Sequence, residues 1–357
     1  MDGYSEGKSQ YFTALILLIC MAIALLNMVF MTNIVSADSP HSSHIVMDVE
    51  SRRVLSGDNI HARLPMASTT KVMTTLIAIE SGKLDDSITI THDMVGVEGS
   101  SIYLEEGEIL TIRELLYGLM LRSGNDSAVA IAKGTYGTID EFVAQMNSKT
   151  KELGLRGTHF VNPHGLHDDR HYTSAYDLAV ISSYAMHNDT FRDIVGTKSI
   201  VIGGETSKKR YLVNKNKILS MYQYGTGIKT GYTKKAGRCL VSSAERDGMS
   251  LVSVVLGEPN MWEYSIESME RAYRDYTMLD IALENTPLEQ VRIGSKTYDV
   301  CVHRTLRYPI RECERDMLSY NIEVDAHMRH AQSGQNIGKL KVYYDKHLIF
   351  EEKIYTM

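Results

Sequence analysis

Two apolar runs, Cys239-Leu240-Val241-Ser242-Ser243-Ala244 and Leu251-Val252-Ser253-Val254-Val255-Leu256, flank the dipeptide Asp247-Gly248. Asp-Gly tolerates the positive φ angles of a two-residue hairpin turn, so the runs are predicted to pair as antiparallel strands. The hairpin divides the chain into regions of different pattern. Upstream, residues 72–79 read as a largely buried helix with Gly82 as its stop, and residues 112–121, 128–132, 142–153 and 175–186 carry helical spacing. Residues 45–49 and 53–55 read as a strand pair turning at Glu50-Ser51-Arg52. Downstream, a helix is predicted over residues 262–283, closed by Pro287. Short alternating runs follow at residues 291–293, 298–302, 320–324, 340–344 and 348–350, which predict a small all-β domain over residues 286–357.

Residues 13–31 contain no charge, and Lys8 is the one basic side chain before them. The stretch is long enough for a membrane helix, while Val35-Ser36-Ala37 would serve as the cut site of a cleavable signal. Either reading of residues 1–37 puts the remainder outside the cytoplasm, associated with the membrane or secreted. Residues 38–43 read as a polar linker. A net charge of −6 without a dense Lys or Arg run argues against a nucleic-acid partner. Four cysteines in 357 residues do not form a disulfide scaffold. Cys239 is expected in the core, and Cys301 and Cys313 are near enough in sequence to pair in an oxidising compartment.

Ser68-Thr69-Thr70-Lys71 is the first candidate for chemistry. Positions i and i+3 share a helix face, so Lys71 can reach the Ser68 hydroxyl. A serine hydroxyl is a weak nucleophile until a base takes its proton. Lysine is a base only when neutral, which calls for desolvation and a second cation nearby. The pattern S-x-x-K recurs at Ser5 and Ser148, so it says little alone, and a serine at a helix start is commonly just a cap. Ser123-Gly124-Asn125 falls between two predicted helices. It reads either as a functional loop or as a turn followed by an N-cap, and S-x-N recurs at Ser319. Lys229-Thr230-Gly231 occurs once and precedes the hairpin. It reads as an anion-binding sheet edge or as a glycine turn with a solvated lysine.

The three motifs fall in order on a helix start, an interhelical loop and a sheet edge, elements that can converge on one cleft. This set resembles the penicillin-binding protein and serine β-lactamase superfamily, and most closely the low-molecular-mass D-alanyl-D-alanine carboxypeptidases. The stretches Leu64-Pro65-Met66-Ala67 before Ser68, Phe160-Val161-Asn162-Pro163-His164-Gly165-Leu166 and Gly227-Ile228 before Lys229 extend the likeness, which spans roughly residues 42–285. The resemblance implies an α/β fold: a transpeptidase-like domain over residues 44–285, with an antiparallel sheet flanked by helices and a helical subdomain, followed by the small β domain.

It further implies that the enzyme trims the terminal D-Ala of peptidoglycan pentapeptides and is acylated by β-lactams. Ser68 would be the nucleophile, Lys71 its base, Ser123 a proton relay and Asn125 a holder of the substrate amide. Lys229 would supply the second cation, Thr230 and Gly231 would line the substrate strand, and the backbone N–H groups of Ser68 and Tyr232 would form the oxyanion hole. No metal or cofactor is called for. In one respect the chain departs from the pattern. Family members often carry an arginine shortly after the strand that follows Lys-Thr-Gly, for the substrate carboxylate. Here the stretch reads Gly257-Glu258-Pro259-Asn260-Met261-Trp262-Glu263, and the nearest downstream arginine is Arg271.

Three rival readings share parts of this pattern. A class A β-lactamase would need a deacylating glutamate in an E-x-x-L-N segment, which the sequence lacks. A zinc hydrolase could draw ligands from His159, His164, His167, His171, Asp168 and Asp169. A slowly turning over sensor or structural cell-wall protein could carry the same acylated serine.

Overall fold

The computed structural model describes residues 42–357 apart from residue 206. The predicted anchor or signal and most of the linker lie outside the described residues. Among those described, no helix is long and apolar enough to cross a membrane.

In chain order, β1 (Ser43–Asp48) and β2 (Val54–Asp58) lead through a 3-10 turn (Ala67–Thr70) into α1 (Lys71–Glu80). β3 (Ser87–Thr89) and β4 (Ile109–Thr111) precede α2 (Ile112–Arg122), α3 (Asn125–Tyr136), α4 (Ile139–Glu152), α5 (Ala175–Met186) and α6 (Asp189–Gly196). Next come β5 (Ser199–Ile202), β6 (Arg210–Val213), a short α7 (Ile218–Met221), β7 (Gly225–Thr233), β8 (Gly237–Arg246), β9 (Met249–Leu256) and α8 (Met261–Asp275). The tail holds β10 (Thr277–Ala282), β11 (Glu289–Ile293), β12 (Lys296–Cys301), β13 (Leu306–Ile310), β14 (Leu318–Val324), β15 (Asn336–Tyr344) and β16 (His347–Thr356).

The predicted hairpin is the middle of the main sheet. β8 and β9 pair from Cys239↔Leu256 to Arg246↔Met249, and the turn residues Asp247 and Gly248 have φ of 51° and 76°. The antiparallel order is β2-β1-β9-β8-β7, which leaves β7 at an edge. Val241, Val252 and Val254 face a core shared with α1 and α5, whereas Leu240 and Val255 face Trp262 and Met261 of α8. Helices thus cover both faces, and the strands read as continuous apolar runs for that reason. Ser43, expected in the linker, is instead the first residue of β1. Its hydroxyl donates to Asn59 O at 2.9 Å, anchoring the strand earlier than its apolar residues alone suggest.

Helix α1 is the axis of the helical subdomain. Every residue from Lys71 to Ile79 is buried, against α2, α3, α4 and α5. Each fully buried Val, Leu, Ile or Met there stabilises the fold by about 1.5–3 kcal/mol relative to exposure. Helix α2 starts on a capping box, with Thr111 Oγ1 accepting from Glu114 N and Glu114 accepting from Thr111 N. It stops at Ser123, which is left-handed with φ 65°.

The helix expected over residues 262–283 ends at Asp275. Tyr276 is extended, with φ −123°, and β10 pairs antiparallel with β13. The apolar pattern of residues 277–282 fits helix or strand, and only the partner strand beginning at Leu306 decides it. The Tyr276 hydroxyl, donating to Leu55 O at 3.0 Å, turns the chain out of the helix. The five predicted tail strands form one sheet of order β11-β12-β16-β15-β14 around Val300, Leu340, Val342 and Ile354, which is the small all-β domain. Arg53, after the β1–β2 turn, ties it to the main sheet. Its guanidinium donates to Pro309 O at 2.6 Å and Glu314 at 2.9 Å, with the rings of Tyr276, Tyr308 and Tyr344 within 5.3 Å.

Cys301 and Cys313, near enough in sequence to pair, do not pair. Cys301 is buried in β12 and Cys313 is exposed on a 3-10 turn, both as free thiols. Cys239 is a buried residue of β8, and burial pushes its thiol up to about 12.

Candidate active site

Ser68 lies in the 3-10 turn that enters α1, and Lys71 is the first residue of the helix proper. In a 3-10 turn, residues three apart eclipse one another. Lys71 Nζ lies 3.1 Å from Ser68 Oγ, 2.7 Å from Asn125 Oδ1 and 2.6 Å from His164 O. The Ser68 side chain caps no helix, because neither the turn nor α1 has a side-chain cap. The other described S-x-x-K match differs: Ser148 and Lys151 are exposed on α4.

Asn125 opens α3, and the helix N-cap is Gly124, so the cap reading of this segment does not hold. The Asn125 amide instead donates to Glu98 O at 2.5 Å and accepts from Lys71. Next to it, the buried Asp126 carboxylate accepts from Ser101 Oγ and from the N–H groups of Ile102 and Leu104. These bonds hold the segment that brings Ser100 to the cleft.

Lys229 lies in β7, also fully buried, and donates to Thr230 O at 2.9 Å. Burial and the Lys215 charge push Lys229 down to about 7. Burial first, and then the Lys229 charge, hold Lys71 well below the usual lysine range. A neutral Lys71 amine has two N–H bonds for Asn125 Oδ1 and His164 O. Its lone pair then faces the Ser68 hydroxyl. That geometry suits proton removal from Ser68.

Gly231 is the point of closest approach between β7 and the serine turn. A Cβ there would stand 3.0 Å from Ser68 N, 3.1 Å from Thr69 N and 3.2 Å from Ala67 Cβ. Thr230 is half-buried and Tyr232 is 65% exposed, so the free edge of β7 is open to an extended peptide. Ser68, Ser123, Thr230, Gly231 and Tyr232 line one cleft of about 530 Å³. Ser100, Lys215, Arg238, Met261 and Trp262 line it too, and the sequence pattern had singled out none of these five for the site. Arg271 does not line it. None of the five sits in a local pattern that marks it for function. A larger cavity of about 630 Å³ lies at the other end of β7, beside Gly225 and Thr226, and holds none of the motif residues.

The histidines of residues 159–171 have separate tasks. Val161 N–H donates to His171 Nδ1 at 3.0 Å, so the ring proton sits on Nε2 and is shared with Thr70 Oγ1 at 2.8 Å. Thr70 in turn donates to Ala67 O at 2.8 Å, beneath the serine. His159 Nδ1 bonds Arg170 O, His167 pairs with Asp169, and His164 supplies its backbone oxygen to Lys71. Among the described residues, no three metal-ligating side chains converge.

Two expected results follow from this underpinning. Gly165 has φ +91°, and a Cβ there would fall 2.0 Å from Ala67 O. Gly165→Ala should destabilise the fold by at least about 2–3 kcal/mol and displace the serine turn, read as a lower urea midpoint together with slower acylation. Second, burial pushes His171 down to about 3 and His164 down to about 4, both from 6.5. Between those values the unfolded chain binds protons that the folded chain refuses. Stability should therefore fall as pH drops from about 6.5 towards 3. Urea midpoints measured across that range should show a shallower slope for His171→Gln than for the wild type.

The sequence profile of the D-alanyl-D-alanine carboxypeptidases, the peptidase S11 family, matches residues 31–260. The chain belongs to this family. Among its relatives, the D-alanyl-D-alanine carboxypeptidase DacF of Bacillus subtilis (strain 168) is 32% identical over 326 residues, covering 87% of this chain and 84% of that protein. The D-alanyl-D-alanine carboxypeptidase DacA of Escherichia coli (strain K12) is 38% identical over 228 residues, 60% of this chain and 55% of that relative's length. The crystal structure of penicillin binding protein 5 from Haemophilus influenzae superposes with a TM-score of 0.73 at 26% identity, over 90% of this chain and 98% of that one. Membership makes the chain a hydrolase of the carboxypeptidase type, and the shared fold is the transpeptidase-like α/β domain with its β tail.

Proposed function

We propose that the chain is a serine-type, penicillin-binding D-alanyl-D-alanine carboxypeptidase that trims peptidoglycan stem peptides through an acyl-Ser68 intermediate. The observation that carries this reading is the position of the buried Lys71 amine, bonded to Asn125 and His164 with Ser68 Oγ as its third neighbour. Lys71 takes the Ser68 proton as Oγ attacks the carbonyl carbon of the penultimate D-alanine. The N–H groups of Ser68 and Tyr232 receive the oxyanion, and one such donor is typically worth about 2.7–4 kcal/mol. The C–N bond breaks as the proton taken up by Lys71 passes through Ser123 to the leaving D-alanine nitrogen, which leaves the Lys71 amine neutral again. Asn125 holds the substrate amide, and Thr230 and Gly231 line its strand. Water, deprotonated by the same base, then cleaves the acyl ester and restores Ser68.

The catalytic unit in this reading spans residues 44–285, and residues 286–357 form the β domain. Residues 1–37 act as signal or anchor, so the reaction takes place outside the cytoplasm. A peptide ending in D-Ala-D-Ala should release D-alanine, and a β-lactam should block that release by a covalent adduct on the proteolytic fragment that contains Ser68. An adduct on another fragment, or no D-alanine at all, would sink the reading.

A further inference from the structure

We propose that Arg238 binds the terminal carboxylate of the substrate and so selects peptides with a free C-terminus. The inference rests on the acyl-Ser68 reading of the cleft. Arg238 lies on β8 as the Cα partner of Tyr232, one strand behind the free edge of β7. Cross-strand partners project on the same face of a sheet, and Arg238 lines the cleft together with Ser68, Gly231 and Tyr232. Met261 and Trp262 line it as well, giving the same region an apolar wall suited to a small side chain.

Three other cations serve this cleft, and each is a poor permanent counter-charge. Lys71 is buried and already engaged by Asn125 and His164. Lys229 is buried, donates to Thr230 O at 2.9 Å and is pushed down to about 7, so its charge is not a permanent one. Lys215 is lowered by burial and by the Arg122 charge. A guanidinium keeps its charge at any physiological pH and meets a carboxylate with two parallel N–H bonds. Arg238 also has no carboxylate partner among the described residues. Just past the end of β9, the Glu258 N–H donates to Arg238 O at 3.1 Å. The buried Glu258 carboxylate turns to its own loop and accepts from Asn260 N at 2.9 Å. Arg238 therefore remains available to an anion from outside.

The test compares the peptide ending in D-Ala-D-Ala with its C-terminal amide on wild type, Arg238→Gln, Arg238→Lys and Lys215→Gln. Arg238→Gln should lower kcat/KM for the free acid by roughly 10–100-fold, mainly through KM, while changing the amide by no more than about 3-fold. Arg238→Lys keeps the charge without the fork and should fall between the two. Equal losses on acid and amide, no loss on either, or a preference removed by Lys215→Gln instead would each overturn the assignment. Wild type without D-alanine release would fail the acyl-Ser68 reading itself. A retained acid preference in Arg238→Gln, with an active wild type, fails only this one.

Discussion

Ser68→Ala is expected to abolish covalent labelling by a β-lactam and to lower D-alanine release by about 10⁴–10⁶-fold, the scale on which loss of a nucleophile acts when the rest of the site survives. The survival is a structural expectation. Lys71 keeps its bonds to Asn125 and His164, and Thr70 keeps its bond to His171, so nothing buried is orphaned. Unfolding free energy should change by less than about 1 kcal/mol. The measurement pairs a D-alanine assay with a denaturant titration of the same preparations. Release at more than a few per cent of the wild-type rate would remove Ser68 from the mechanism. Inactivity together with a collapsed urea midpoint would show that the serine is structural.

Lys71→Arg should lower kcat by about 10²–10⁴-fold while leaving a positive charge in place, because a guanidinium cannot take the Ser68 proton. The pH profile separates basicity from charge. Activity needs the neutral amine, so it should rise with pH through the depressed Lys71 value. Burial is the larger cause of that depression and the Lys229 charge the second. Replacing Lys229 with glutamine removes a repelling cation, which lets Lys71 hold its proton to higher pH. The acid limb of kcat/KM should therefore move upward, though not to the 10.5 of a solvated lysine. A limb that stays put, or moves to lower pH, would break the link between the two lysines.

Neither variant tests the cleft's supports, and there the sequence was a thinner guide. The Asp247-Gly248 hairpin was legible because two adjacent positive φ angles and two flanking apolar runs are local facts. Residues 277–282 were misread as helix because their state depends on pairing with a strand that begins at Leu306. Whether Cys301 and Cys313 pair was open for a like reason, since nearness in sequence does not bring a buried strand thiol to an exposed turn. Lys215 and Arg238 carried no local signal at all. They become neighbours of Ser68 only when β7, β8 and the segment before α7 come together on one cleft.

By itself, the sequence determined the family, the order of the three motifs and the reach of Lys71 to Ser68. Each of those is a short stretch whose residue types are dictated by chemistry: a hydroxyl, an amine three residues on, an amide, a second lysine. Only the tertiary structure decided that Lys71 sits below the usual lysine range, because that depends first on burial by everything packed around α1 and then on the charge of a lysine 158 positions away in β7. It alone brought Lys215 and Arg238 to the cleft that holds Ser68, because that is a relation between strands, and spacing along one chain does not record it.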